Sequence, residues 1–365
     1  MQTATTNLNI NIENIWEKRP FIISGPCSAE TPEQILETAK LLAASGNVDM
    51  FRAGIWKPRT KPGMFEGIGT DALAWLLQAK KQTGLPICVE VATAKHVEDA
   101  LKYETDLLWV GARTTVSPFS IQAVAEALKG TNVPVLVKNP VNPDIELWSG
   151  AIERLQKIGV QKIGMIHRGF SNYGDTQYRN TPMWHIPIEM KLRFPGMMML
   201  CDPSHICGNR TMLGDIAQKS INNSFSGLMI ESHINPDFAW SDARQQVTPN
   251  DLTQIIQKLI WRSETSSETD FLIALSKFRE QINQIDDELL SLISQRMKIA
   301  EQIGEHKRSE NIIILQANRW NEISERVVKH GVSLGLSEEF IARYLDALHL
   351  ESISHQNKIM NGPKE

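Results

Sequence analysis

The chain has 365 residues, 42% of them hydrophobic and 22% charged, and a formal net charge of −4. Such a balance gives no global drive toward nucleic acid or an anionic membrane, so basic residues aimed at anionic ligands must be concentrated locally. Four cysteines (Cys27, Cys88, Cys201, Cys207) are too few for a disulfide scaffold and fit a reduced, cytoplasmic setting, and no run of about 18 apolar residues points to a membrane span.

Residues 1–19 read as a polar, asparagine-rich extension without the apolar core of a signal peptide. Within it, Asn7–Ile15 has the pattern of an extra strand or hairpin. From Pro20 to Arg262 short apolar runs alternate with longer amphipathic stretches. The runs are Phe21–Ser24, Met50–Ala53, Pro86–Val91, Leu107–Val110, Val133–Val137, Lys162–Ile166, Met197–Cys201 and Gly227–Ile230. They show no clear polar alternation, as expected of strands buried on both faces. Between them lie helix patterns such as Glu33–Ala44, Ser120–Leu128, Glu146–Ile158 and Asn209–Ser220. The first opens on Thr31-Pro32-Glu33, a capping hydroxyl followed by proline in the first turn. Eight strands alternating with helices predict an α/β fold, a closed (β/α)8 TIM barrel over residues 20–262. A doubly wound open sheet fits less well, because no glycine fingerprint follows the first strand.

Residues 263–270, Ser-Glu-Thr-Ser-Ser-Glu-Thr-Asp, are small and polar and read as a linker. Beyond them the strand signal stops. Apolar residues from Leu272 to Ile303 recur at steps of three and four, predicting one helix of roughly 35 residues. Two shorter helices follow, near Gln316–Lys329 and Ser337–Lys358, with Gly331 and Gly335 marking the break. Three helices over residues 271–360 bury little alone, so this all-α domain is expected to dimerise.

Active sites of barrels sit at the C-terminal ends of the strands. The predicted strands each end in, or run into, a polar candidate there: Cys27, Arg52 with Lys57-Pro58-Arg59-Thr60, Glu90, Arg113, Lys138, His167-Arg168, Asp202-Pro203-Ser204-His205 and Glu231-Ser232-His233. Two sets emerge. Cys27, His205, Glu231 and Asp242 combine sulfur, nitrogen and oxygen donors suited to a divalent transition metal. Arg52, Lys57, Arg59, Arg113, Lys138 and Arg168 form a cationic cluster that matches phosphate and carboxylate groups. Holding these cations together without anionic ligands is costly, which implies a highly anionic substrate pair. A Schiff-base aldolase using Lys138 is a more distant option that leaves the metal set without a task.

Gly25-Pro26-Cys27-Ser28, Lys57-Pro58-Arg59-Thr60, Gly111-Ala112-Arg113 and Asp202-Pro203-Ser204-His205 stand in the order found in 3-deoxy-D-arabino-heptulosonate 7-phosphate (DAHP) synthases. Across Pro20–Arg262 the chain resembles their compact type I beta subgroup. The resemblance implies that Cys27, His205, Glu231 and Asp242 hold the metal, manganese first, with iron, cobalt or zinc as alternatives. It implies that Arg52, Lys57, Arg113, Lys138 and Arg168, with Gly111, Ala112 and Asp202 beside them, take phosphoenolpyruvate. Arg59 and Thr60 would hold the phosphate of erythrose 4-phosphate, while Lys57, Cys27 and His205 stand nearest the chemistry. The sister enzyme making an eight-carbon octulosonate phosphate has Lys-Ala-Asn-Arg-Ser where this chain has Lys57-Pro58-Arg59-Thr60, which favours the four-carbon sugar. Metal would protect the Cys27 thiolate, and metal-free Cys27 is expected to be prone to oxidation.

On the long predicted helix, Arg296 and Lys307 fall within about 20° of each other and about 16 Å apart, whereas Arg279 lies about 26 Å from Arg296. Phe278-Arg279-Glu280-Gln281-Ile282, with Arg319, Ser352 and Gln356 further on, resembles the all-helical chorismate mutases over about Phe271–Gln356. That resemblance implies Arg279 from a partner protomer and Arg296 on the substrate carboxylates, and Lys307 with Gln356 on the ether oxygen. Gln316 and Trp320 depart from it, where acidic residues are common. The implied protein is a bifunctional shikimate-pathway enzyme, a homodimer through the helical domain or a tetramer, binding chorismate and prephenate and neither nucleic acid nor membrane. Because the barrel begins within about 20 residues, leaving no room for a separate regulatory domain, the helical domain is expected to sense chorismate or prephenate and damp the barrel. The alternatives are a helical domain that only dimerises and senses, and a barrel that binds without catalysing.

Overall fold

The eight apolar runs form β1 (Phe21–Gly25), β2 (Met50–Arg52), β3 (Ile87–Val91), β4 (Leu107–Val110), β5 (Val135–Lys138), β6 (Ile163–His167), β7 (Met199–Cys201) and β8 (Gly227–Glu231). All pair in parallel and in sequence order, and β8 closes on β1 to complete a barrel. This computed structural model describes residues 16, 18–58, 63–174, 176–263 and 265–362, without the side chains of 317 and 318. Asn7–Ile15, with its expected strand, lies outside the described residues.

The lack of alternation follows from burial on both strand faces. Phe21, Ile23, Met50, Trp109, Leu136 and Met229 fill the barrel interior. Ile22, Phe51, Val89, Leu108, Val137 and Ile230 pack outward against the helices. The first helix spans Pro32–Ser45 and is capped by Thr31 Oγ1, which accepts from the Gln34 amide at 3.1 Å. The pattern Asn209–Ser220 differs from the outcome. A short helix, Pro203–Cys207, ends at Gly208 with φ +68°, and the next begins only at Leu213. Asn209 lies between them, its side-chain oxygen accepting from the Thr211 amide at 3.1 Å, so it makes a turn in place of a helical residue.

The chain divides into two compact units, Met1–Glu264 and Thr265–Glu365. The second consists of helices Thr269–Ser309, Ala317–Ser333 and Glu338–Asn361. Gly331 does not mark their break, as expected, but lies within the second helix. A Cβ there would come 2.5 Å from Ile341 Cδ1, so the residue permits close helix packing. Gly335, at φ +84°, makes the turn. The C-terminal half of the long helix is packed, with Met297 and Ala300 buried. Its N-terminal half exposes Phe278 (62%), Ile282 (56%), Ile285 (56%), Leu289 (47%) and Leu292 (59%). No helix among the described residues is long and apolar enough to cross a membrane.

Candidate active site

Strand register assembles the barrel site. Gly25 at the end of β1 pairs with Glu231 at the end of β8, which brings Cys27, two residues on, to that carboxylate. Gly25 has φ +149°, and a Cβ on it would lie 2.0 Å from the Arg52 carbonyl oxygen, so β1 and β2 close up only over glycine. Gly111 has a similar role: a Cβ there would strike Glu90 Oε1 at 2.0 Å. Asp202 caps the short helix after β7, accepting from the His205 amide at 3.1 Å, and Pro203 fills its first turn. The next residue, Ser204, accepts from the Glu231 amide at 3.0 Å and ties this helix to β8.

Ligand atoms of Cys27, Glu231 and Asp242 all lie within 4.8 Å of one another. His205 stands beside this trio, its Nε2 3.9 Å from Glu231 Oε1. Glu231 Oε2 accepts from Gln245 Nε2 at 2.7 Å, whereas Oε1 is buried without a hydrogen-bond partner. Burial and the Glu231 carboxylate push the Cys27 thiol up to about 12. Burial opposes ionisation of Asp242, but Arg179, 3.0 Å away, holds its carboxyl well below the usual range. Three acidic groups converging on one orphaned oxygen fit a divalent cation. Metal-free Cys27 is fully buried as well as weakly acidic, which argues against the oxidation expected from sequence.

Two of the cations lie directly against this trio. Lys57 Nζ donates to Cys27 O at 2.8 Å and lies 3.0 Å from Cys27 Sγ. Arg52, 1% exposed, has its guanidinium 4.9 Å above the Trp109 ring and 3.4 Å from Glu231 Oε1, yet its Nε and Nη1 are buried and unpartnered. Lys138 pairs with Asp202 at 2.7 Å, and Asp202 Oδ2 also lies 2.8 Å from His205 Nδ1. Burial opposes ionisation of Asp202, but His205 and Lys138 hold its carboxyl well below the usual range. Arg168 donates to Asn180 Oδ1 at 2.6 Å, and burial lowers it to about 10. Arg113 is exposed in the short helix Ala112–Thr115. Arg59 and Thr60 lie outside the described residues.

Reading the sequence missed Arg179, Gln245 and Gln246. Gln246 accepts from the Cys27 amide and Arg179 donates to Gln245, at 2.8 and 2.6 Å. No motif flags them; only Gln245 and Gln246 lie close in sequence to a candidate, Asp242.

In the helical unit, Arg296, Lys307, Arg319, Ser352 and Gln356 line one cavity of about 470 Å³, together with Gln316 and Trp320. Arg296 donates to Ser352 Oγ, Lys307 donates to the Ile314 carbonyl at 2.5 Å, and Gln356 Oε1 is buried without a partner. Trp320 stacks on His349 with ring centroids 3.9 Å apart. Arg279 does not line this cavity.

A closed parallel barrel with thiol, carboxylates and cations gathered at its strand ends defines a barrel enzyme for anionic substrates. Residues 5–269 match the sequence model of the DAHP synthetase I family, and the chain belongs to that family. Residues 278–357 match chorismate mutase type II, so one chain carries two shikimate-pathway enzymes, a DAHP synthase and a chorismate mutase. Over 238 residues it is 29% identical to the phospho-2-dehydro-3-deoxyheptonate aldolase of Thermotoga maritima, spanning 65% of this chain and 68% of that one. A crystal structure of that enzyme superposes with a TM-score of 0.59 at 28% identity, covering 65% of this chain and 67% of the other. The 2-dehydro-3-deoxyphosphooctonate aldolase of Dechloromonas aromatica is 27% identical over 248 residues, 61% of this chain and 83% of its own.

Proposed function

We propose that the barrel condenses phosphoenolpyruvate with erythrose 4-phosphate to DAHP and phosphate, as a type I beta-subgroup synthase. Arg52 carries this reading. Its buried guanidinium meets Glu231 at 3.4 Å through one nitrogen but leaves two donors unpartnered, which is costly until a further anion meets them, and phosphoenolpyruvate is triply charged near neutral pH. Lys57, Lys138, Arg168 and Arg113 would surround the bound substrates, neutralise the repulsion between the two phosphorylated molecules and fix their orientation. Gly111 and Ala112 would let the phosphoenolpyruvate approach the backbone closely, and Asp202 would hold Lys138 and His205 toward it. The preference for the four-carbon sugar rests on Pro58-Arg59-Thr60.

Cys27, Glu231, Asp242 and His205 would hold the divalent metal, manganese first. Bound there, it would supply Lewis acidity toward the aldehyde. Loss of the enolpyruvate absorbance on mixing both substrates with manganese-loaded protein tests the assignment; no loss with manganese, iron, cobalt or zinc would contradict it.

For the helical unit we propose rearrangement of chorismate to prephenate. Arg296 would grip a carboxylate, and Lys307 and Gln356 would donate to the ether oxygen as it gains charge. Arg319 and Ser352 would complete the grip. Gln356 would present its amide NH₂ to the substrate. The exposed row from Phe278 to Leu292 recurs at steps of four and three, a seam suited to a second copy, which would bring the partner's arginine at position 279 to the cavity. The same unit would report prephenate or chorismate to the barrel. Prephenate is then expected to slow the synthase in the intact chain and not in Arg296→Ala; equal inhibition of both would remove the proposal.

A further inference from the structure

Glu30 has no part in the chemistry above, yet its carboxylate is a buried hub between two active-site loops. It follows β1 by five residues and is 6% exposed. Its Oε1 accepts from the Trp240 amide at 2.8 Å and from Ser28 Oγ at 3.2 Å. Its Oε2 lies 3.3 Å from Nε2 of His233, itself 3% exposed. Nδ1 of His233 accepts from the Asn235 amide at 2.8 Å, so the neutral ring must carry its proton on Nε2 and donate it to Glu30. Ser28 Oγ is also 2.6 Å from Ser241 Oγ. With Ser28 donating to Glu30, Ser241 is left as the donor to Ser28. Every proton in the chain thus points inward to one carboxylate.

The two loops joined this way each carry a residue of the metal-binding trio. Ser28 adjoins Cys27, and Ser241 adjoins Asp242. Asp242 has a left-handed backbone, φ +48°, uncommon outside glycine although aspartate tolerates it better than most residues. Gln246 reinforces the link, accepting from the Cys27 amide and donating to the Ser241 carbonyl, both at 2.8 Å.

We infer that Glu30 is a positioning residue, clamping the loop after β1 to the loop after β8 so that Cys27 Sγ and the Asp242 carboxylate are in ligating range before a cation arrives. This rests on the metal reading given above. Outer-shell partners of this kind typically contribute 10- to 100-fold in metal affinity. A glutamine at position 30 keeps the shape but sets an NH₂ against a donor whichever way it turns, because the His233 proton cannot move to Nδ1 without facing Asn235 N–H.

The test is a Mn²⁺ titration of the metal-free, full-length protein, with the Co²⁺-substituted protein read by its thiolate charge-transfer absorption. Glu30→Gln is expected to bind Mn²⁺ about 10- to 100-fold more weakly and to lose charge-transfer intensity. Saturating Mn²⁺ is expected to restore its synthase rate with the KM for phosphoenolpyruvate unchanged. Ser241→Ala, which cuts one link, is expected to weaken binding by a smaller factor and decides the matter where Glu30→Gln fails to fold. Wild-type affinity in whichever folded variant is measured would overturn the inference. Absence of Mn²⁺ binding by the wild type would instead overturn the metal reading on which it rests.

Discussion

Lys57 Nζ lies 3.0 Å from Cys27 Sγ and donates to the carbonyl oxygen of the same cysteine at 2.8 Å. Burial disfavours the lysine's charge, but Cys27 and Glu231 outweigh it and raise its pKa. The ammonium therefore stays charged and stands beside Cys27, between the Cys27–Glu231–Asp242 trio and the other cations. Lys57→Met is expected to lower synthase kcat/KM by roughly 10²- to 10³-fold, as loss of a fixed charged donor does. Chorismate loss, followed in the same sample, is expected to be unchanged and serves as the control for folding.

Arg52 gives a prediction about ligand binding that needs no turnover. Phosphoenolpyruvate at a hundred times its Kd is expected to stabilise the barrel by about 2.7 kcal/mol. Thermal unfolding should show the rise in wild type and lose it in Arg52→Ala. A rise of the same size in the variant would mean that the buried guanidinium does not meet the ligand.

His167 predicts an acid-side loss of stability. The ring is 0% exposed among Phe170, Trp184 and Phe225, and burial lowers it to about 3, with Arg168 adding to the effect. Its folded pKa lies below the unfolded value near 6.5, so the unfolded chain binds the extra proton between those limits. The contribution is complete above about pH 6.5 and falls by up to about 1.4 kcal/mol per pH unit toward pH 3. His167→Leu is expected to flatten the fall in unfolding midpoint between pH 6.5 and 5; an unchanged slope would assign the acid sensitivity to other groups.

The barrel was legible because parallel strands buried on both faces write themselves as short apolar runs, and because the strand ends carry the chemistry. Asp202-Pro203-Ser204-His205 shows how far such a motif can be read: a cap, a first-turn proline, a link to β8 and a candidate ligand each need that residue type. Glu30, Arg179 and Gln246 were not legible. Glu30 and Gln246 act across 203 and 219 residues, joined by the closure of β1 on β8, and Arg179 reaches Asp242 and Gln245 across 63 and 66. Gly331 was misread for a related reason. The sequence shows that a Cβ is missing, but not that Ile341 occupies its space. Arg279 was legible as a residue and not as a position, since a single protomer leaves it away from the cavity.

The central claim is that two separate sites on one chain perform two reactions. The most direct measurement follows both in one tube, enolpyruvate absorbance for the barrel and chorismate loss for the helical unit, in wild type, Cys27→Ala and Arg296→Ala. The account predicts both activities in wild type, mutase alone in Cys27→Ala and synthase alone in Arg296→Ala. Loss of both activities from either folded variant, or retention of synthase by Cys27→Ala, would contradict it.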